Sequence, residues 1–289
     1  MKELLILSGK GGTGKTTIAS ALIRLSSARA YADCDVDAPN LHLIAGWETR
    51  PQRKDYYGLP MANIDPDTCI ECGKCKDYCR FDAISAKGGY KVNPFACEGC
   101  GLCAHLCPTR AIAMEENIAG DLYLYADKER AFSTAQLKMG SGTSGLLVSQ
   151  VKEQMKSAAA GVDLAIIDGS PGIGCPVIAS LSGVDMVLIV AEPTISGISD
   201  MGRIINTAMK FGTRILVCIN KFDTNIENSE KIQAFCQEHK LPLVGRIPFD
   251  PLAVKAINNG QSIVDIECPS GSAVRGIYNE IRKELCKRN

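Results

Sequence analysis

Residues 9–17 read GKGGTGKTT. They fill the pattern G-x-x-x-x-G-K-[ST] from Gly9 to Thr16, directly after the apolar run Leu4-Leu5-Ile6-Leu7 and directly before a helix-like run over 18–25. A strand, a glycine-rich loop and a helix in that order make a phosphate loop. The glycines let successive backbone N–H groups curl around a phosphate, and the helix behind them turns the positive end of its dipole to the same point. In this reading Gly9, Gly11, Gly12, Thr13 and Gly14 form the cradle. Lys15 reaches the β- and γ-phosphates, and Thr16, next to Thr17, ligates Mg²⁺.

The second loop residue, Lys10, narrows the class. A lysine there gives the GKGG form of the loop, which resembles the deviant P-loop ATPases: MinD, ParA, Mrp and the nitrogenase iron protein. The resemblance implies ATP as the nucleotide. It also implies an ATP-dependent dimer, of two copies or of this chain with a paralogue, in which Lys10 reaches the nucleotide held by the other subunit.

Composition sets the frame around the loop. A chain of 289 residues, 46% apolar and 22% charged, can bury a full core in one large domain or in one large and one small. Lys and Arg balance Asp and Glu at 32 each, so no basic excess points to nucleic acid or an anionic membrane. No apolar run reaches the roughly 18 residues of a membrane span, and no cleavable signal pattern precedes the loop. The expected location is the cytoplasm. Fourteen cysteines in a reducing compartment are better explained by metal than by disulfides.

Apolar runs at 4–7, 164–167, 186–190 and 215–219, separated by helix-length segments, are the pattern of parallel strands buried on both faces. They predict an α/β fold with a doubly wound, mostly parallel sheet. Ligands gather at the carboxyl ends of such strands, where Gly9, Asp35, Asp168 and Asn220 fall. Residues 61–116 break the pattern, being rich in cysteine and poor in long apolar runs. We expect a discontinuous P-loop domain over 1–60 and 117–289, with a small α+β domain inserted at 61–116. Residues 117–140 read as a connecting strand and loop, and the glycine-rich stretch 140–145 as the lead into a helix.

The inserted segment carries C-x2-C-x2-C-x3-C twice, at Cys69, Cys72, Cys75 and Cys79 and again at Cys97, Cys100, Cys103 and Cys107. The second run lies 28 residues after the first, and Gly73/Gly101, Ala83/Ala111 and Ile84/Ile112 repeat at the same offset. This duplication resembles bacterial ferredoxins with two [4Fe-4S] clusters. In that arrangement the fourth thiolate of each run serves the other cluster. One cluster then takes Cys69, Cys72, Cys75 and Cys107, and the other takes Cys97, Cys100, Cys103 and Cys79. Paired zinc knuckles would place two cysteines each across a longer gap. Cys79 is followed by Arg80 where Cys107 is followed by Pro108, a local departure from the ferredoxin pattern. His105 sits among eight thiolates already assigned and reads as a surface residue.

Two further segments extend the ATPase resemblance. In 30–41, AYADCDVDAPNL, the shape D-x-D followed by N-L resembles the first switch of MinD-like ATPases. There Asp35 would orient or deprotonate the attacking water, with Asp33 and Asp37 as neighbouring switch or Mg²⁺ contacts. In 164–172, LAIIDGSPG, an apolar strand ends in an acid and a glycine-rich turn, similar to a Walker B strand and second switch. Asp168 would bind Mg²⁺ through a water, and the N–H of Gly169 or Gly172 would sense the γ-phosphate. Cys175 follows in the region of the nitrogenase iron protein's cluster cysteine, and a small buried thiol is the plainer reading. The run Asn220-Lys221-Phe222-Asp223 also resembles the guanine-reading motif of GTPases. Lys10 and both switches favour the ATPase branch, in which Asn220 and the loop at Pro248 hold adenine.

The 272–285 segment puts Val274, Ile277, Ile281 and Leu285 on one helical face. That pattern fits a helix packed on the sheet better than a MinD-like membrane helix, so membrane contact is not expected. The whole chain resembles MinD-superfamily iron-sulfur ATPases, which share their P-loop domain with cobyrinic acid a,c-diamide synthase. The resemblance implies ATP hydrolysis coupled to electron transfer through two clusters to a protein partner. Its alternatives are a carrier that assembles or delivers metal cofactors, and a positioning ATPase whose clusters are structural.

Overall fold

The computed structural model describes residues 1–44, 46–47, 49–159 and 161–287. They form two compact units. The first comprises Met1–Gln52, Tyr123–Ala135 and Gly145–Asn289, and the second Arg53–Leu122 and Gln136–Ser144.

In the first unit, β1 (Lys2–Leu7), β2 (Ala30–Asp33), β10 (Leu164–Asp168), β11 (Met186–Ala191), β12 (Arg214–Asn220) and β13 (Leu243–Ile247) are parallel strands in the order β13-β12-β11-β1-β10-β2. Their apolar runs are buried on both faces, as a sheet covered by helices requires. The helices are α1 (Lys15–Ser26), α4 (Ser144–Ala158), α5 (Cys175–Leu181), α6 (Ile195–Met209), α7 (Ile226–Glu238), α8 (Pro251–Asn258) and α9 (Pro269–Cys286). The final helix α9 buries Val274, Ile277 and Ile281 and packs on β13, so its apolar face is spent on the sheet. At about 1.5–3 kcal/mol per large side chain, that burial holds the helix in place. Its cap is a thiol: Cys268 Sγ accepts from the N–H of Gly271 at 3.3 Å, ahead of Pro269 at the first helical position.

The sheet continues past β2 where the sequence reading expects only a connecting strand and loop. Both β8 (Ile118–Ala126) and β9 (Ala131–Leu137) are strands of the sheet, and β9 pairs in parallel with β2 from Ala30↔Ala131 to Asp33↔Thr134. Each strand starts in one unit and ends in the other. β9 lacks the continuous apolar run that marks the other strands, because Ser133 and Thr134 interrupt it while still being buried.

The second unit has β3 (Gln52–Tyr57) beside β8 in strand order, and two small ladders. In one, β4 (Met61–Ile64) is antiparallel to β7 (Ile112–Glu115); in the other, β5 (Ile84–Ser85) is antiparallel to β6 (Lys91–Val92). Short helices α2 (Lys74–Asp77) and α3 (Leu102–Leu106) follow Gly73 and Gly101, both left-handed at φ 82° and 74°, a conformation that glycine adopts without strain. The 28-residue repeat is present in the backbone as well. Asp65 N donates to Ala111 O at 2.8 Å, and Asn93 N to Ala83 O at 2.6 Å. Left-handed residues recur at Glu71 and Gly99 and at Asp82 and Arg110.

Candidate functional site

At the carboxyl end of β1 the loop enters α1 through Gly14, whose φ is 88° and whose absent Cβ would meet Asn220 Nδ2 at 2.4 Å. Only glycine serves there. No side chain caps α1, which leaves its leading amides for an anion. Asn220 Nδ2 donates to Thr13 O at 2.6 Å, and Lys221 Nζ donates to Gly12 O at 3.1 Å, so the end of β12 braces the loop from the side. Asn220, expected at the base, holds the phosphate-loop backbone in this structure. Asp223, the guanine-reading position of the alternative motif, accepts from Phe249 N at 2.7 Å and ties down the loop after Pro248.

Lys15 Nζ lies 2.5 Å from Asp168 Oδ1, with the two side chains 6% and 0% exposed. Parallel register sets Asp168 on β10 beside Asp33 on β2. Burial works against the Lys15 ammonium, but the charge and hydrogen bond of Asp168, with Asp33 and Asp35 behind it, hold its pKa above the ordinary value. The second Asp168 oxygen, Oδ2, and the Thr13 hydroxyl are buried without a partner. An orphaned carboxylate oxygen beside a phosphate loop fits a Mg²⁺ site shared by Thr16 and Asp168.

Asp33 clasps the turn that follows β2. Its Oδ1 accepts from Asp35 N at 3.0 Å, and its Oδ2 from Asn40 N at 3.0 Å and Leu41 N at 2.9 Å. Burial and the Asp168 charge raise its pKa to about 7 against the pull of those amides and Lys15. Asp35 is half-buried, and burial raises its pKa as well, which suits a group that takes a proton from water. Asp37 is exposed. The amides expected to sense a γ-phosphate have other partners: Gly169 N donates to Ile6 O at 2.9 Å and Gly172 N to Ser8 O at 3.0 Å. They fasten the turn after β10 to the end of β1 and the residue that follows it.

In the second unit none of the eight motif cysteines is in a disulfide. Cys69, Cys72, Cys75 and Cys107 line one cavity, and Cys79, Cys97, Cys100 and Cys103 line another. Six of the eight pack on a core of Ala62, Ile64, Ile84 and Ile112. Among the described residues no three Cys, His, Asp or Glu side chains converge on the position of a single ion. The two observations differ in what they test: a mononuclear site needs ligands meeting at a point, whereas a cubane needs four thiolates spread around a body of atoms. The cavity linings are the relevant geometry for the second case. Ala111 N donates to Cys107 Sγ at 3.2 Å, a contact that favours the thiolate form of that sulfur. His105 is exposed.

The sequence profile of the CobQ/CobB/MinD/ParA nucleotide-binding domain matches residues 4–263. The chain belongs to this family of P-loop ATPases. A Methanocaldococcus jannaschii protein described as uncharacterized is 34% identical over 286 residues, 97% of this chain and 96% of its own. The cytosolic Fe-S cluster assembly factor Nubp1 homolog of Drosophila ananassae is 25% identical, over 96% of this chain and 81% of its own. The septum site-determining protein MinD of Pyrococcus horikoshii, solved with Mg-ADP, superposes with a TM-score of 0.58 at 17% identity, over 99% of this chain and 97% of its own. That likeness extends the doubly wound fold of the CobQ/CobB/MinD/ParA family to this chain.

Two members of this chain's P-loop site escape motif reading. Glu192 Oε2 pairs with Lys10 at 2.7 Å and its Oε1 with Lys221 at 2.9 Å, while Thr194 Oγ1 accepts from Lys10 at 3.1 Å. Burial works against the Glu192 charge, yet the hydrogen bonds and charges of the two lysines hold its pKa below the usual carboxylate range. Glu192 directly follows β11 and Thr194 caps the helix after it, so the strand-end rule that locates Gly9 and Asp168 could have found them.

Proposed function

We propose that this chain couples ATP binding and hydrolysis to electron transfer through two [4Fe-4S] clusters to a protein partner. The observation that carries the reading is that two separate cavities are each lined by the four cysteines of one crossed set, in a chain that also has a complete phosphate loop. Cys69, Cys72, Cys75 and Cys107 would hold one cluster and Cys79, Cys97, Cys100 and Cys103 the other, each supplying storage for one electron. At the nucleotide, Lys15 leaves Asp168 for the phosphates, and Thr16 and Asp168 take Mg²⁺. The amides from Gly11 to Thr17 cradle the phosphate chain, and Asp35 orients water at the γ-phosphate. Lys10 leaves Glu192 and Thr194 to complete a second subunit's site in an ATP-dependent dimer.

Of the segments that pass between the units, β9 is the one paired with the first-switch strand. It pairs with β2, which bears Asp33, and runs on into the second unit. A change in the Asp33 clasp on γ-phosphate loss therefore has a strand along which to act. The test measures the rate at which a one-electron acceptor protein is reduced by anaerobic, prereduced protein, with and without Mg-ATP. Acceleration by ATP that Lys15→Ala abolishes supports the reading, and equal rates in all conditions reject it. The similarity to a cytosolic Fe-S cluster assembly factor favours a second reading, cluster delivery. Under that reading turnover moves iron from this chain to an apo-acceptor.

A further inference from the structure

The duplication lets the two cysteine cavities be compared position by position. At the 28-residue offset, Thr109 and Lys74 of the first cavity match Phe81 and Leu102 of the second, and Ile70 and Glu71 match Glu98 and Gly99. All eight are lining residues. The first cavity therefore has a hydroxyl where the second has a phenyl ring, and an ammonium where the second has an isobutyl group. Its one carboxylate, Glu71, shares the lining with Lys74, whereas among the described residues the second lining has Glu98 and no lysine or arginine; the Glu98 carboxylate reaches the Gly142 position, in a neighbouring cavity that Lys138 also lines. The hydroxyl is placed at sulfur: Thr109 Oγ1 lies 3.7 Å from Cys107 Sγ, which also accepts from Ala111 N.

A cluster gains one negative charge on reduction. Hydrogen bonds donated to its sulfurs and nearby positive charge stabilise that charge and raise the potential, whereas a nearby carboxylate lowers it. Summed over the four pairs, the first lining carries one ammonium and one carboxylate and the second a carboxylate alone, and the first has a hydroxyl at sulfur where the second has a phenyl ring, so the balance favours reduction at the first cavity.

We propose that the two sites are held at unequal potentials, with the Cys69, Cys72, Cys75 and Cys107 site the easier to reduce, and that Thr109 and Lys74 set the difference. The inference rests on the two-cluster reading above. Its consequence is direction: one electron from a low-potential donor, entering at either cavity, settles on the Cys107 side, with no bond made or broken.

The test is a potentiometric titration of anaerobically purified full-length protein with dithionite and mediators, followed by electron paramagnetic resonance, with iron counted on the same sample. Two one-electron waves are expected. Thr109→Val should lower the upper wave and leave the lower one in place, Thr109→Ser should retain the original potential, and Lys74→Leu should again lower the upper wave. The reciprocal Phe81→Thr should raise the lower wave and narrow the gap. Full iron content with a single shared potential, or a Thr109→Val shift in the lower wave, would overturn the inequality and leave the clusters standing. A sample without iron would remove the cluster reading itself, and this inference with it.

Discussion

The two compact units hold together by different means. In the first, a continuous apolar cluster runs from Leu4 and Ile6 on β1 through Ile18 and Leu22 on α1 to Ile277 and Ile281 on α9. In the second, the cluster of buried apolar residues around the cysteines is Ala62, Ile64, Ile84 and Ile112, ringed by the thiols themselves. That cluster by itself offsets little of the chain entropy of residues 61–116. The first unit folds on apolar burial and uses its polar residues for chemistry; on the two-cluster proposal, the second would draw on its clusters for stability as well as for function.

The largest expected effect follows directly. Stripping iron from the protein with an oxidant and chelator should expose the second unit to proteolysis within 61–116 while the first still binds nucleotide. A digestion time course with mass mapping checks this, and equal protection of both units would break the contrast. Within the first unit, Lys15→Ala should reduce ATP hydrolysis by about 10²–10³, since it removes a donor to the phosphates. It should also lower nucleotide-free stability by about 3–5 kcal/mol by leaving Asp168 buried without its cation. Steady-state hydrolysis and urea titration measure the two separately.

A smaller effect concerns Asp33. Its folded pKa of about 7 lies above its ordinary value of 3.8, so between those pH values the folded state binds the extra proton. This group's contribution to stability is therefore full below about pH 4 and declines as pH rises towards about 7, by on the order of a few kcal/mol. Urea titrations of nucleotide-free protein across that range should show the slope, and Asp33→Asn should flatten it. The smallest effect is at Asp223, whose carboxylate accepts from Phe249 N. Asp223→Asn should cost about 0.5–1.5 kcal/mol and leave the preference for ATP over GTP unchanged in a competition assay. A switch in nucleotide preference would return Asp223 to the base.

What the sequence makes legible differs between the units for the same reason. Short-range regularities carry through: the loop from Gly9 to Thr17, the apolar runs of β1, β10, β11 and β12, and the repeated cysteine spacing are all patterns of neighbouring residues. Long-range pairings are not patterned in this way. The Lys15–Asp168 pair joins residues far apart in sequence, and Lys10–Glu192 is set by where β11 ends. β9 was opaque because Ser133 and Thr134 look like loop residues, yet lie buried at 0% and 4% exposure. Gly169 and Gly172 show a related limit. Their freedom from side chains is visible in sequence, but the carbonyls of Ile6 and Ser8 that their amides meet are not.

The most direct measurement is iron and acid-labile sulfide per chain in protein purified without oxygen, repeated for Cys107→Ala and Cys79→Ala. The account predicts about eight irons in the parent, with each substitution disturbing a different cluster: Cys107→Ala the one served by Cys69, and Cys79→Ala the one served by Cys97. A colourless parent, or one that holds zinc in place of iron, would contradict it.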